Sequence, residues 1–452
     1  MKKSLIISLL SCFILSTAWF FISIPAFAQD TNADKSKVKT GWTFGALPAV
    51  SFNSDLGFQY GALVNFYYFG DGKSYPKYMH SLYGEVSRYT KGSGINRFFY
   101  DSEYLIPKVR VTADVSYLTD KALDFYGFNG YDAVYNSFWE DKDDQNYLSR
   151  MFYRHERNMF RFMTDFQGSL VEKKLRWVAG FGILHNSVNI VDIEALNKGK
   201  KKDLLPDTLS LYDYYINWGI IEDGEKSGGW SNNIKVGLVY DTRDFEPNPM
   251  KGLWSEVVLF AAPGFLGNGD YGFAKISATH RQYFTIVKDK LSFVYRLNYQ
   301  GTIAGTVPFY MQPYMINSFS NSSNTDGLGG SKTVRGMLRN RVVGDGVAFG
   351  NAEFRWKFYK TVVMKQNLYL GLNLFMDAGK VLKKIDFQKP ESTWPFNPSE
   401  LFAYDVESIH TTLGAGLRIV LNENFIIAVD YGKPFDKRDG NSGLYIGLNY
   451  LF

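Results

Sequence analysis

Residues Ala348–Phe358, AFGNAEFRWKF, decide the fold. Ala348, Gly350, Ala352, Phe354, Trp356 and Phe358 fall on one face of an extended chain. Asn351, Glu353, Arg355 and Lys357 fall on the other, because successive side chains of a strand point to opposite faces. The pattern recurs at Leu368, Leu370, Leu372, Leu374 and Met376, opposite Asn367, Tyr369, Gly371, Asn373 and Asp377. Leu291, Phe293, Tyr295, Leu297 and Tyr299 alternate with Ser292, Arg296, Asn298 and Gln300, and Phe58, Tyr60, Ala62, Val64, Phe66 and Tyr68 do the same near the start. A soluble β-sandwich also alternates. Three features favour a different architecture: an export signal, aromatics clustered at strand ends, and short turns alternating with long loops. Together they predict an outer-membrane β-barrel, apolar toward lipid and polar toward its lumen.

Sixteen antiparallel strands are expected, at 42–52, 56–69, 78–90, 95–106, 108–118, 149–170, 174–186, 231–241, 252–262, 270–286, 289–301, 346–359, 366–379, 408–420, 425–432 and 442–452. The segment 149–170 is long enough for two strands and is read as one, which keeps the count even, as closure of a single-chain barrel of this type demands. Short links such as Val171–Lys173 and Asn422–Asn424 alternate with long ones at 119–148, 187–230, 302–345 and 380–407. In bacterial barrels the short turns are periplasmic and the long loops extracellular.

Composition agrees. Of 452 residues 17% are aromatic, a high share for a soluble globule, and 42 Gly against 14 Pro suit strands and tight turns. Past the first 24 residues no apolar run approaches the roughly 20 residues of a membrane helix, which excludes a polytopic helical protein. Lys2 and Lys3, the apolar Leu5–Ile24 and Ala26-Phe27-Ala28 read as a signal peptide over 1–28, followed by a short segment 29–41 and the barrel over 42–452. Cys12, the one cysteine, leaves with that signal, so neither disulfides nor a lipoprotein anchor are expected. Without Lys2 and Lys3, 48 basic residues face 45 acidic ones, a balance that argues against a polyanionic partner such as nucleic acid.

At this point the residues resemble a family. Val334-Arg335-Gly336-Met337, after Gly329-Gly330 in the long loop behind the eleventh strand, resembles the V-R-G-F/Y loop motif of the Omp85 superfamily (bacterial surface antigen D15, or BamA/TamA-like, barrels). Phe375-Met376-Asp377-Ala378-Gly379 is similar to that family's F-x-D-x-G strand motif, and Asn351-Ala352-Glu353-Phe354 to the acidic segment between the two. Tyr240-Asp241-Thr242-Arg243-Asp244 with Pro249 and Gly252 resembles its Y-D-x-R-D…P…G turn. Gly447, Tyr450 and Phe452 resemble the G-x-x-aromatic-x-aromatic signal by which such barrels are recognised for assembly. Each tetrapeptide alone is weak, but their order and their spacing in strands are specific. Two departures stand out: Met337 replaces the usual aromatic, and the stretch between Gln29 and Trp42 leaves no room for a periplasmic POTRA module, so the likeness is to the POTRA-less branch.

By parity Glu353 and Asp377 face the lumen, where an inward-folded loop would bring Arg335 to both, its planar fork suited to bidentate pairing. The resemblance implies that this arginine pins the loop, with Gly379 beside it. Little else suggests chemistry. The five histidines are scattered without metal spacing, there is no G-x-S-x-G elbow, and Asp241, Arg243 and Asp244 read as a locally paired turn. Glu140–Asp144 and Lys198–Lys202 read as solvated loop charges rather than sites for ions or lipid phosphates. No enzyme, cofactor or metal is expected. The partners implied are outer-membrane lipid and lipopolysaccharide, with unfolded client proteins or accessory outer-membrane subunits. The function implied is outer-membrane protein assembly or polypeptide translocation; the alternative is a passive diffusion pore gated by the long loop, with a lipase ranked last.

Overall fold

The computed structural model describes residues 38–452 apart from 76, 173, 320–323, 364–365 and 422–424. The proposed signal peptide lies outside the described residues. The chain forms a closed antiparallel barrel of eighteen hydrogen-bonded segments, four of which are halves of two interrupted strands, leaving sixteen. Strand β1 (Trp42–Pro48, continued by Ser51–Asn53) is broken at Ala49–Val50 but keeps one register against β2 (Gly57–Tyr68). There follow β3 (His80–Tyr89), β4 (Gly94–Ile106), β5 (Val109–Asp124), β6 (Arg154–Val171) and β7 (Leu175–Asn189). Strand β8 (Gly228–Trp230, continued by Asn233–Asp241) is the other interrupted one, paired to β7 throughout. The circuit continues through β9 (Gly252–Ala262), β10 (Phe273–Val287), β11 (Leu291–Gly305), β12 (Gly346–Val363), β13 (Gln366–Lys383), β14 (His410–Leu421), β15 (Phe425–Pro434) and β16 (Gly443–Leu448). Every strand pairs with its sequence neighbour, and β16 returns to β1. The segment 149–170 does hold one strand rather than two, but it begins at Arg154, after turns up to Tyr153.

Closure explains the alternation. A strand in lipid must satisfy each backbone group within the protein, and only a sheet without edges achieves that. The apolar set therefore points outward: Phe354, Trp356, Leu374 and Met376 are each about half exposed, whereas Asn351, Glu353, Asn373 and Asp377 are buried inside. Among the described residues no helix is long and apolar enough to cross a membrane.

The ladders are uneven. That between β12 and β13 runs from Gly346↔Lys383 to Val363↔Gln366. The closing ladder consists of Tyr445↔Asn53 and Ile446↔Phe52, supplemented by hydrogen bonds between Ser54 and Leu444. The last strand is also shorter than expected. It stops at Leu448, where Asn449 takes φ +70° and turns the chain out of the sheet. Tyr450 then lies under Arg355 (4.2 Å from guanidinium carbon to ring centre), and Phe452 packs on Tyr283 and Val294. Alternation could not reveal this, because aromatics at 450 and 452 suit a lipid face and an apolar, arginine-lined inner pocket equally well.

Candidate functional site

Loop 306–345, between β11 and β12, is drawn into a buried position by its own apolar residues. Met315, Leu328, Val334, Met337 and Val342 pack with Val347, Phe349 and Val381 from the flanking strands. A bridge between Leu328 and Val342, with Gly330 N–H donating to Met337 C=O (3.0 Å), folds the segment into a hairpin-like tongue. Gly336 sits at its tip with φ +95°, its backbone against that of Gly432 on β15: a Cβ there would lie 2.4 Å from the Gly432 carbonyl carbon.

Next to that glycine, Arg335 meets three carboxylates. Its Nε donates to Asp377 Oδ2 (2.8 Å) and its Nη2 to Asp377 Oδ1 (2.9 Å), while its main-chain N–H donates to the same carboxylate (3.0 Å). Glu353 Oε1 lies 2.7 Å from Nη2, and Asp430 Oδ2 3.6 Å from Nη1. The guanidinium carbon stacks 3.5 Å from the centre of the Phe375 ring. Two of the acids have further cations: Glu353 accepts from Arg355 (2.8 Å) and Asp430 from Arg418 (2.8 and 3.0 Å). Three guanidiniums thus balance three carboxylates. Burial alone would pull the Arg335 pKa down, but Asp377 and Glu353 more than offset it and hold the pKa above the ordinary arginine value.

Arg339, missed in the sequence, makes a second node on the opposite wall. It reaches Asp326 in its own loop (Nε to Oδ2, 2.7 Å) and Asp120 on β5 (Nη1 to Oδ1, 3.1 Å). Arg157 on β6 closes the square, 2.8 Å from Asp120 and 3.1 Å from Asp326. Burial raises the Asp326 pKa, but Arg339 and Arg157 outweigh it and hold the carboxyl below its usual range. Arg341 donates to the carbonyls of Gly130, Ala133 and Arg438, tying in two further loops. The signal was present: three arginines within seven residues, set among Val334, Met337, Leu338, Val342 and Val343. Charges in so apolar a stretch need buried partners.

The other sequence candidates lie elsewhere. Asp241 pairs with Arg243 (3.0 Å) and Arg176 (3.2 Å) at the β8–β9 turn. Asp244 accepts from the main-chain amides of Phe245, Met250 and Lys251, and Gly252 takes φ +100° against Thr242. Val334 and Met337 belong to the tongue's core, and Gly379 abuts Leu328 and Val334. Gly447 stays in β16, opposite Ala428 of β15, while Tyr450 reaches Arg355 and Arg418. At the opposite end from the short turns, aromatics of several loops (Phe128, Trp139, Tyr153, Tyr215, Phe309 and Phe402) share one core with the ends of the strands. Among the described residues no cluster of three His, Cys, Asp or Glu side chains suits a metal ion.

Strands paired around a closed circuit, an apolar exterior and a charged interior define an outer-membrane transmembrane β-barrel. Residues 81–452 match the Omp85 superfamily domain, and the chain belongs to that superfamily. Its fold is similar to that of BamA from Haemophilus ducreyi lacking POTRA domains 1–3: 13% identity, 91% of this chain and 71% of that one, TM-score 0.55. It is similar also to CdiB from Escherichia coli: 12% identity, 95% and 68% of the two chains, TM-score 0.53. No curated protein sequence matches the chain.

Proposed function

We propose that this barrel takes part in outer-membrane protein assembly or polypeptide translocation, working through its seam. The observation that carries the reading is the edge of β1. The register set by Tyr445↔Asn53 would place Asn449–Phe452 alongside Ala46–Ala49, but the chain turns away at Asn449. Among the described residues Trp42–Pro48 consequently pairs with β2 alone, offering its outer N–H and C=O groups to another strand. Unfolded client proteins or accessory outer-membrane subunits are the partners this edge suits, with lipid and lipopolysaccharide around the wall. The tongue, folded inward and pinned by Arg335, serves to hold β12, β13 and β15 in place while the seam opens. A passive diffusion pore fits less well, since tongue and aromatic loop core occupy the space that a solute would need.

The test uses cysteines at Phe52 and Ile446, which face each other across the seam. Oxidised, the purified variant in vesicles should no longer speed insertion of a model outer-membrane barrel, and a reductant should restore it. Undiminished insertion with the seam locked would overturn the reading. Solute flux that persists through the locked protein would favour the pore.

A further inference from the structure

Straight across the sheet from β8 to β13, one row of residues runs Asp241, Trp254, Arg281, Arg296, Asn351, Asp377. Both acids are already committed, Asp241 to Arg243 and Arg176, and Asp377 to Arg335. Between them two arginines stand directly opposite each other. Like charges in that position destabilise an antiparallel pair unless something offsets them.

Among the described residues no acidic side chain forms an ion pair with either arginine; Asp377 and Glu353 act on Arg296 only at longer range, and its guanidinium lies over the Phe349 and Phe452 rings. Arg296, 8% exposed, donates only to neutral groups: Nε to Asn351 Oδ1 (2.8 Å) and Nη2 to the Lys332 carbonyl (2.9 Å). Arg281 has a buried Nε without a hydrogen-bond partner, and its guanidinium carbon lies 5.8 Å from the centre of the Trp254 ring. A third cation, Lys332, comes from the tongue itself, held to Arg296 through that carbonyl. Enclosure within the barrel, and then Arg296 and Arg97 nearby, lower the Lys332 pKa. The arginines occupy the half of β10 and β11 nearer the short turn 288–290, hence nearer the periplasmic mouth.

We propose that Arg281, Arg296 and Lys332 form an oxyanion-binding site on the inner wall of the barrel. Guanidinium forks match the planar oxygen pairs of carboxylate and phosphate, and a bound oxyanion would supply the negative charge this row lacks. Two sources carry that chemistry, a small phosphate-type solute and the Asp or Glu side chains of a polypeptide in the lumen. The site goes beyond the seam reading and does not depend on it.

The test follows the thermal unfolding midpoint of the full chain in zwitterionic detergent, by heat-dependent gel mobility. Inorganic phosphate is titrated against sodium chloride at matched ionic strength. The midpoint should rise saturably with phosphate and not with chloride. Arg281→Gln, which relieves the like-charge pair and so keeps the barrel folded, should abolish the response. Lys332→Gln, outside the sheet, should weaken apparent phosphate affinity roughly tenfold, the loss expected for one charge-assisted hydrogen bond. A Glu-rich peptide that suppresses the phosphate response, where its Gln counterpart does not, assigns the site to polypeptide carboxylates. Failure to suppress it assigns the site to small oxyanions. Equal responses to phosphate and chloride, or a full phosphate response in both variants, would overturn the proposal.

Discussion

Among the members of the arginine centre, Arg335 and Asp377 should be the costliest to remove, and Glu353 distinctly cheaper. All three are essentially inaccessible, at 1%, 0% and 0% exposure. Arg335→Ala leaves Glu353 still paired with Arg355 and Asp430 still paired with Arg418. Among the described residues Asp377 keeps only the main-chain N–H of residue 335 as a hydrogen-bond donor. Removing one partner of a buried ion pair costs about 3–5 kcal/mol, chiefly through the charge left behind. The lost stack on Phe375 adds roughly 0.5–2 kcal/mol. Asp377→Asn should approach the same loss, because the amide keeps at most one arm of the fork, turns an NH2 toward the guanidinium in place of the other and removes the charge. Glu353→Gln leaves Arg335 its Asp377 fork and keeps one side-chain oxygen for Arg355, which also donates to the Phe452 carbonyl, so it should cost about half as much, the scale of a single hydrogen bond to a charged group, roughly 1.5–3 kcal/mol. The assay is urea unfolding of the refolded barrel in detergent, monitored by tryptophan fluorescence. In the Arg335→Ala/Asp377→Ala double variant the losses should be non-additive by about 1–3 kcal/mol, as for residues in one network. Equal losses for Glu353→Gln and Asp377→Asn, or strict additivity in the cycle, would refute the idea that Asp377 is the carboxylate that relies on the loop arginine.

Further outcomes follow from the same geometry. Gly336→Ala forces a Cβ onto the Gly432 backbone at positive φ and should destabilise the tongue by roughly 1–3 kcal/mol, read as faster protease nicking within 306–345. Leu374→Arg, at the middle of β13 on the lipid face, should cost roughly 2–4 kcal/mol, against about 0.5 kcal/mol or less for Trp394→Arg on an exposed loop. Because the folded pKa of Asp326 is depressed, its contribution is fully present above the unfolded value, about 3.9, and is lost as pH falls through the lower folded value. Asp326→Asn should therefore flatten the acid limb of the stability curve, and an unchanged limb would show that the node around Arg339 stabilises nothing.

Period two made most of the barrel legible, since lipid on one side and charge on the other leave each strand a single acceptable register. The strand with Phe354 and Glu353 and the one with Met376 and Asp377 needed nothing else. Loops obey no such period. Arg335 was found because a family motif flagged it, whereas Arg339 four residues later carried no motif and needed its environment: its carboxylates come from β5 and from its own loop, distant in sequence. Asp430 escaped notice for the same reason, contributed from β15 by the curvature of the wall rather than by any spacing along the chain. The tail turn escaped because a left-handed Asn449 leaves no mark on hydropathy.

The distribution of stiffness joins these observations. The tongue is tied at Arg335 to β12, β13 and β15 and at Arg339 to β5, with Arg157 of β6 beside it, so it spans from one side of the circuit to the other. A brace of that kind resists ovalisation of the barrel, and any opening must then occur where backbone pairing is weakest. That place is the closing ladder between β16 and β1, where among the described residues two residue pairs and the Ser54–Leu444 bonds join the edges. Strand β15, which bears Asp430 and Gly432, is held by the tongue, while among the described residues its neighbour β16 meets the tongue through the hydroxyl of Tyr445, which accepts from Gly336 N–H at 3.2 Å. Removing that hydroxyl with Tyr445→Phe leaves the barrel and both arginine nodes intact. It should loosen β16 specifically, measured as faster amide hydrogen exchange in Gly443–Leu448 with unchanged exchange in β12 and β13. Uniform exchange across all three strands would mean that the brace does not divide the barrel into a held wall and a free edge.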